Sequence, residues 1–146
     1  MSIPLSPETL ARARQAQLDQ VAKAVDEGRL APDIAQAMTD PHTSRWIAAH
    51  GFAVVDRWED LRGPATGTLD VSTGLQRGEI PAQLPLDDKR LVREVYRAAL
   101  ASADADLQIQ VLNPDLLIGM WRPGLTEPSI MRVWEQRFPQ LPRTGN

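Results

Sequence analysis

The placement of proline and glycine is the feature that most restricts what this chain can fold into. Proline is well tolerated at the first position of a helix, and glycine readily adopts the left-handed conformation that follows the last turn. Ser6 can cap a helix that starts at Pro7, and Gly28 can follow it, so the sequence predicts a first helix from Pro7 to about Glu27. The same rules predict further helix starts at Pro32, Pro41 and Pro114. The chain should therefore be mostly helical, in segments too short for a coiled-coil rod.

The segment that begins at Leu86 shows the clearest helical periodicity. Asp87 and Asp88 stand where acidic residues complement the positive end of a helix. At 100° per residue one half of this helix is apolar, and it is formed by Leu91, Val92, Val95, Tyr96, Ala99 and Leu100. We expect one helix here and a last helix from Thr126 to Phe138.

Two segments alternate apolar and polar residues with period two, which is typical of half-buried strands. They are Leu69–Ser72 and Leu107–Val111. From Val54 to Arg62 the spacing of apolar residues favours a helix instead. Together these patterns predict an α+β, mostly helical fold with five to seven helices and one small two- or three-stranded sheet.

The length of the chain bounds its domain organisation. A chain of 146 residues with 42% hydrophobic residues can bury one core of its own, so we expect residues 1–146 to form a single domain. The alternative is a helical unit over residues 1–62 and a helix-strand-helix unit over 86–141. In that arrangement the glycine- and proline-rich segment 63–85 joins the two units.

The residue types that are missing exclude several kinds of site. Cysteine is absent, which rules out thiol nucleophiles and cysteine-bound zinc or iron-sulfur clusters. His42 and His50 would lie about 12 Å apart along one helix, too far to share a metal ion. Neither a phosphate-binding loop nor a serine nucleophile elbow is present. We therefore expect no metal, no cofactor and a noncatalytic role.

Charge and hydropathy narrow the class of partner. The formal net charge of -3 is unfavourable for binding nucleic acid. The longest apolar stretch, from Leu116 to Trp121, is far shorter than the roughly 20 residues that a membrane span needs. The sequence therefore predicts a soluble, cytoplasmic protein that does not bind membranes.

One group of carboxylates supports an enzymatic alternative. Asp56, Glu59 and Asp60 have the i, i+3, i+4 spacing that would bring all three to one face of a helix. Carboxylates at that spacing could hold Mg²⁺ or act as an acid and base pair. A small enzyme that uses these residues is one alternative function, and a solvated acidic face is the simpler interpretation.

Residues 32–50 contain a local resemblance. Ile34 to Met38 reads Ile-Ala-Gln-Ala-Met, and Ser44 to Ile47 reads Ser-Arg-Trp-Ile. These stretches resemble the two ends of a helix-turn-helix DNA-binding motif, with a shorter spacing and with Thr39 in place of the turn glycine. The resemblance implies a DNA-binding transcriptional regulator with a degenerate motif, which is a second alternative function.

Arginines form the main candidate for a binding surface. Arg90, Arg93 and Arg97 have the i, i+3, i+7 spacing that places them along one helix face. Each guanidinium can bind a carboxylate or a phosphate through two hydrogen bonds. Such a face suits an acidic protein surface or a nucleic-acid backbone, and an ordinary solvated face is the simpler interpretation.

Three further residues complete the expected partner-binding set. Trp121 and Arg122 precede a turn in which part of the indole can stay exposed, although a core position is favoured for Trp121, and Arg14 interrupts the apolar face of the first helix. Our leading hypothesis is a noncatalytic protein-binding module of prokaryotic type, such as an adaptor, antitoxin, immunity protein or regulatory subunit. Its partner is another protein or, in a homodimer, a second copy of the chain.

Overall fold

The computed structural model of the chain describes residues 6–71 and 82–144. Within these ranges there are seven α-helices and one two-stranded antiparallel sheet, which confirms the predicted α+β, mostly helical architecture. The elements in chain order are α1 (Pro7–Asp26), α2 (Pro32–Met38), α3 (Arg45–His50), β1 (Thr68–Asp70), β2 (Gln83–Pro85), α4 (Lys89–Leu100), α5 (Ala105–Val111), α6 (Pro114–Met120) and α7 (Pro128–Arg137).

Proline and capping residues set most helix starts as the sequence predicts. The starts at Pro7, Pro32 and Pro114 are confirmed. The Ser6 hydroxyl accepts a hydrogen bond from the Thr9 amide at 3.2 Å and so satisfies one of the free amides of the first turn. Gly28 follows α1 with φ of 74°, a conformation that glycine adopts without strain.

The predicted helix start at Pro41 is wrong. The Asp40 carboxylate accepts a hydrogen bond from the His42 amide at 2.8 Å, which closes a tight turn and does not begin a helix. Helix α3 begins at Arg45, where the Ser44 hydroxyl accepts from the Ile47 amide at 3.3 Å. The last helix likewise begins at Pro128, just after the predicted start at Thr126.

The predicted strand Leu107–Val111 is also wrong, because this segment is helix α5. The Asp104 carboxylate caps the helix by accepting from the amides of Asp106 and Leu107. The alternating pattern assumed that Gln108 faces solvent, but its side chain is fully buried. Its amide donates to the carbonyls of Ala53 at 2.8 Å and Ala99 at 3.0 Å, so tertiary hydrogen bonds determine the orientation of this residue.

The predicted helix from Val54 to Arg62 is replaced by extended backbone with a single 3-10 turn at Trp58–Asp60. The amides of Arg62 and Gly63 donate to carbonyls at the end of α5 and just after it, at 2.9 and 3.0 Å. Gly63 is required by this close approach, since a Cβ atom there would lie 2.1 Å from the Val111 carbonyl oxygen. Outside the 3-10 turn, the segment therefore gains backbone hydrogen bonds from neighbouring elements.

The sheet uses one of the two predicted strands. Leu69 of β1 pairs with Leu84 of β2 in antiparallel register, and both side chains are buried. Ser72, the predicted end of the first strand, lies outside the described residues, as does the rest of 72–81 within the predicted joint.

The hydrophobic core is built around α4 and α7. Its largest fully buried side chains include Trp134 and Tyr96, and it also contains Phe52 and Val55 from the chain before residue 63. Helix α2 contacts α7, and the Arg137 guanidinium donates to the Asp33 carboxylate at 2.6 and 2.8 Å across that contact. Residues on both sides of segment 63–85 thus share one core, and the domain organisation itself stays a prediction.

Candidate partner-binding groove

The outer face of α4 presents cationic side chains to solvent. They are Lys89, Arg90, Arg93 and Arg97, all of them exposed. The residues on the opposite face are buried and fix the rotation of the helix: Val92, Val95, Tyr96, Ala99 and Leu100. None of the four cationic side chains forms an ion pair or a hydrogen bond within residues 6–71 and 82–144. Their charges are therefore available to a partner.

A hydrogen bond from α6 to α4 determines what lies beside this face. The Tyr96 hydroxyl, buried in the core, accepts from the Asn113 amide at 2.9 Å, at the start of α6. Burial raises the pKa of the Tyr96 hydroxyl, so it stays protonated at neutral pH. The Asn113 side chain in turn donates to the Gly63 carbonyl at 2.9 Å. These bonds position α6 next to the first half of α4.

An open groove of about 530 Å³ lies between α4 and α6. We call it the α4–α6 groove. Its apolar floor includes the half-buried side chains of Leu86, Leu116 and Met120. On α6 the neighbouring Leu117 points the other way, into the core, where it is fully buried. The helix therefore places Leu117 in the core and Leu116 and Met120 in the groove.

Gly119 leaves the α6 side of the groove without a side chain at that position. A Cβ atom added at Gly119 would meet nothing within 4 Å, and no positive φ requires glycine there. Neither backbone conformation nor close packing explains the residue. Because glycine has no side chain, space is left above the floor between Leu116 and Met120.

The rim of the groove is cationic although the chain as a whole is acidic. Lys89, Arg93 and Arg122 line it, against a single carboxylate at Asp115. Lys89 and Arg93 are one helical turn apart on α4, and Arg122 follows α6. The groove thus combines an apolar floor with cations that lack partners in the described part of the chain, a combination that suits an acidic, partly apolar ligand.

The structure brings together only some of the residues that the sequence singled out. Arg93 and Arg122 line the same groove, and Arg90 and Arg97 lie beside it on α4. Arg14 lies on α1, where its guanidinium donates to the Thr39 carbonyl at 2.9 Å, and it lines no part of the groove.

Trp121 is only 3% exposed, so its favoured core position is confirmed and its place in the predicted partner-binding set is wrong. Helix α6 ends at Met120, and the chain turns Trp121 inward to pack against Trp134 with ring centroids 6.5 Å apart. The indole N–H donates to the buried Glu135 carboxylate at 3.2 Å. Arg122 alone of this pair is exposed to a partner.

Sequence reasoning missed the rest of the groove. Lys89 is absent from the predicted set, which contains only arginines on this helix, although its i, i+4 spacing to Arg93 is apparent from the sequence. Leu116, Gly119 and Met120 have i, i+3, i+4 spacing, which indicates a second face on α6. That face could have suggested a groove, but not which helix forms the other wall.

The residues of the enzymatic alternative do not share a helix face. Asp56 precedes the 3-10 turn, whereas Glu59 lies within it, and both side chains are exposed. The Glu59 carboxylate lies 3.9 Å from the Arg57 guanidinium. Among the described residues, no group of three or more histidines and carboxylates is arranged to hold a metal ion. The His50 ring is stacked on Trp46, with centroids 4.5 Å apart.

The region that resembles a helix-turn-helix forms two helices, α2 and α3, joined by residues 39–44. Helix α3 has 6 residues, which is less than two turns. The Thr43 hydroxyl between the helices donates to the Ala37 carbonyl at 2.6 Å and lies 2.9 Å from the Ser129 hydroxyl on α7. Trp46 on α3 is 52% exposed.

Comparison with protein-family models, with curated proteins and with solved structures finds no match to this chain. In the part of the chain that the structure describes, no helix combines the length and the hydropathy needed to cross a lipid bilayer. The function proposed below therefore depends on the geometry of the chain itself.

Proposed function

We propose that the protein is a noncatalytic protein-binding module, of the adaptor or regulatory-subunit kind, that binds an acidic segment of another protein in the α4–α6 groove. One observation carries the proposal. Three cationic side chains that have no partner in the described part of the chain, Lys89, Arg93 and Arg122, surround an apolar floor that Gly119 leaves open. Charge complementarity at such a rim steers association and selects the partner, while the floor supplies apolar contact.

An amphipathic helix fits this groove better than nucleic acid does. Recognition of a helix in a groove uses apolar anchors at i, i+3 and i+4, and flanking carboxylates can then reach the rim. Met120 is adaptable enough to pack against anchors of different shape. A nucleic-acid backbone offers phosphates but no side chains for the floor, and Asp115 on the wall would repel it.

The proposal can be tested by selecting peptides from a random library displayed on phage. The library is selected on the wild-type protein, on a Gly119→Trp variant that fills the groove, and on a Gly119→Ala variant as the matched control. We expect peptides with Glu or Asp beside Leu, Met or Phe at helical spacing to be enriched on wild type and on Gly119→Ala. We expect Gly119→Trp to enrich none of them.

Two results would contradict the proposal. One is enrichment of the same peptides on Gly119→Trp, and the other is a set of peptides without acidic residues. Fluorescent duplex DNA at low salt tests the nucleic-acid alternative. If the DNA binds wild type and the Arg62→Glu control but not an Arg93→Glu variant, the cationic face is a nucleic-acid site instead. Arg62 is exposed and lines no part of the groove.

A further inference from the structure

The first half of α1 lies outside the hydrophobic core. The helix has 20 residues and is thus about 30 Å long. Every side chain from residue 7 to residue 16 is exposed, and Val21 is the first that is buried. This part of the helix contributes nothing to the core.

Leu10 lies on the inner face of α1 but is exposed to solvent. Two hydrogen bonds mark that face, from Arg14 to the Thr39 carbonyl at 2.9 Å and from Gln17 to the Ala48 carbonyl at 2.7 Å. Leu10 precedes Arg14 by four residues and Gln17 by seven, so it lies on the same face, and it is 45% exposed. Among the described residues Leu10 is thus an apolar side chain on an inward-facing row that stays exposed and can accept contact from a partner.

A shallow groove, wide open to solvent, lies further along the same helix. We call it the α1–α2 groove. It has a volume of about 450 Å³, and its apolar lining includes Leu18, Val21, Ala22 and Val25 of α1 and Ala35 of α2. One helix therefore carries an exposed leucine near its start and a shallow groove near its end.

The charges on α1 are unequally divided along its length. Glu8, Arg12 and Arg14 give the first half a net charge of +1, while Asp19, Lys23 and Asp26 give the second half -1. Two copies of α1 that pack antiparallel set unlike halves against each other, whereas parallel copies set like halves together.

We propose that α1 is the interface of a homodimer in which the two α1 helices pack antiparallel and Leu10 of each copy enters the α1–α2 groove of the other. A twofold dimer requires one surface that is complementary to itself, and α1 supplies both the inserting side chain and the groove that receives it. This interface is separate from the α4–α6 groove, so each copy keeps that groove open to a different protein.

The mass in solution tests the proposal directly. Sedimentation equilibrium is measured over a range of concentrations for wild type, for Leu10→Glu, and for Ile118→Glu as the matched control, because Ile118 on α6 is 37% exposed. We expect wild type and Ile118→Glu to reach twice the monomer mass, and Leu10→Glu to remain at the monomer mass with an unchanged circular dichroism spectrum. Wild type that stays monomeric at every concentration, or a dimer that survives Leu10→Glu, overturns the proposal.

Cross-linking tests the antiparallel arrangement, and the absence of cysteine from the chain makes the result unambiguous. In a Leu10→Cys, Ala22→Cys double variant the two positions are about 18 Å apart on one helix. A disulfide needs Cα atoms within about 7 Å, so any bond that forms between these positions joins two copies. We expect mild oxidation to yield the covalent dimer.

Two controls complete this experiment. Leu10→Cys alone should not cross-link, because antiparallel packing separates the two copies of residue 10. Leu10→Cys with Gln20→Cys should not cross-link either, because Gln20 lies on the outer face of α1 and lines no part of the α1–α2 groove. Efficient cross-linking of Leu10→Cys alone would show parallel packing and would contradict the proposal.

Discussion

At the scale of single residues, the Glu135 carboxylate on α7 connects three parts of the molecule. It is 5% exposed, and it accepts hydrogen bonds from the Trp121 indole at 3.2 Å and from the Thr144 amide at 3.0 Å. The Thr144 hydroxyl donates a third. A buried carboxylate needs such donors, because one left unsatisfied carries the full cost of desolvation. Residues 141–144 are thereby attached to the end of the core.

Thr144→Val should destabilise the protein. The substitution removes the hydroxyl donor but keeps the amide donor and the side-chain volume, so Glu135 loses one of its three partners. We expect the free energy of unfolding to fall by about 1–2 kcal/mol, as measured by urea denaturation at neutral pH. Thr144→Ser, which keeps the hydroxyl, should be close to wild type. Equal losses in the two variants would show that the hydroxyl does not support Glu135.

The ion pair between Asp33 and Arg137 should make stability depend on pH in acid. Hydrogen bonds from Arg137 hold the pKa of Asp33 below its usual value of 3.8 in the folded state. The folded state therefore binds the proton less readily than the unfolded state. The stabilisation is fully present above pH 3.8 and is lost as the pH falls through the lowered pKa.

Asp33→Asn measures this contribution. At neutral pH we expect the variant to be about 1–3 kcal/mol less stable than wild type, because the partly buried Arg137 keeps its charge without a carboxylate partner. The difference should shrink below pH 3.8. Urea denaturation across this range provides the measurement, with Asp87→Asn as the control at an exposed carboxylate. If the difference in stability between wild type and Asp33→Asn grows as the pH falls, the lowered pKa of Asp33 is contradicted.

At the scale of elements, α4 and α5 show what sequence periodicity can and cannot decide. Helix α4 has 12 residues with one apolar face, which is enough turns for the pattern to identify it. Helix α5 has 7 residues, and its Gln108 is buried because distant carbonyls accept its hydrogen bonds. The segment before Gly63 has the apolar spacing of a helix but is extended, because its amides reach carbonyls near the end of α5. Tertiary hydrogen bonds of this kind leave no local signal.

Gly119 on α6 and Gly63 in the extended segment before β1 should respond to alanine in opposite ways. Gly119→Ala places a methyl group in open space on α6, and we expect a gain of about 0.5–1 kcal/mol from the higher helix propensity of alanine. Gly63→Ala forces a methyl group to within 2.1 Å of the Val111 carbonyl oxygen, so we expect a loss of about 1–3 kcal/mol. Urea denaturation of both variants checks the pair. Similar stabilities would show that the contact at Gly63 is not close.

At the scale of the whole molecule, the fold class was predictable and the candidate site only in part. Arg93 and Arg122 could each be identified from local sequence, as members of a cationic helix face and of a turn. Their meeting in one groove depends on the bond between Tyr96 and Asn113, which joins residues 17 positions apart. The tryptophans show the same limit, since Trp46 and Trp134 both lie in helices, yet Trp46 is exposed and Trp134 is fully buried.

The central claim is that the α4–α6 groove recognises acidic segments through its cationic rim. A charge swap tests it within one set of binding measurements. One acidic peptide selected on wild type is paired with a second peptide in which each acidic residue is replaced by lysine. Both are titrated against wild type, against Arg93→Glu with Arg122→Glu, and against Arg62→Glu.

Fluorescence anisotropy of the labelled peptides gives the dissociation constants. We predict that wild type and Arg62→Glu prefer the acidic peptide and that the double variant prefers the lysine peptide. Each reversed contact should weaken binding of the acidic peptide roughly tenfold, which corresponds to about 1.4 kcal/mol. A double variant that binds the acidic peptide as tightly as wild type, or that gains nothing for the lysine peptide, would contradict the account.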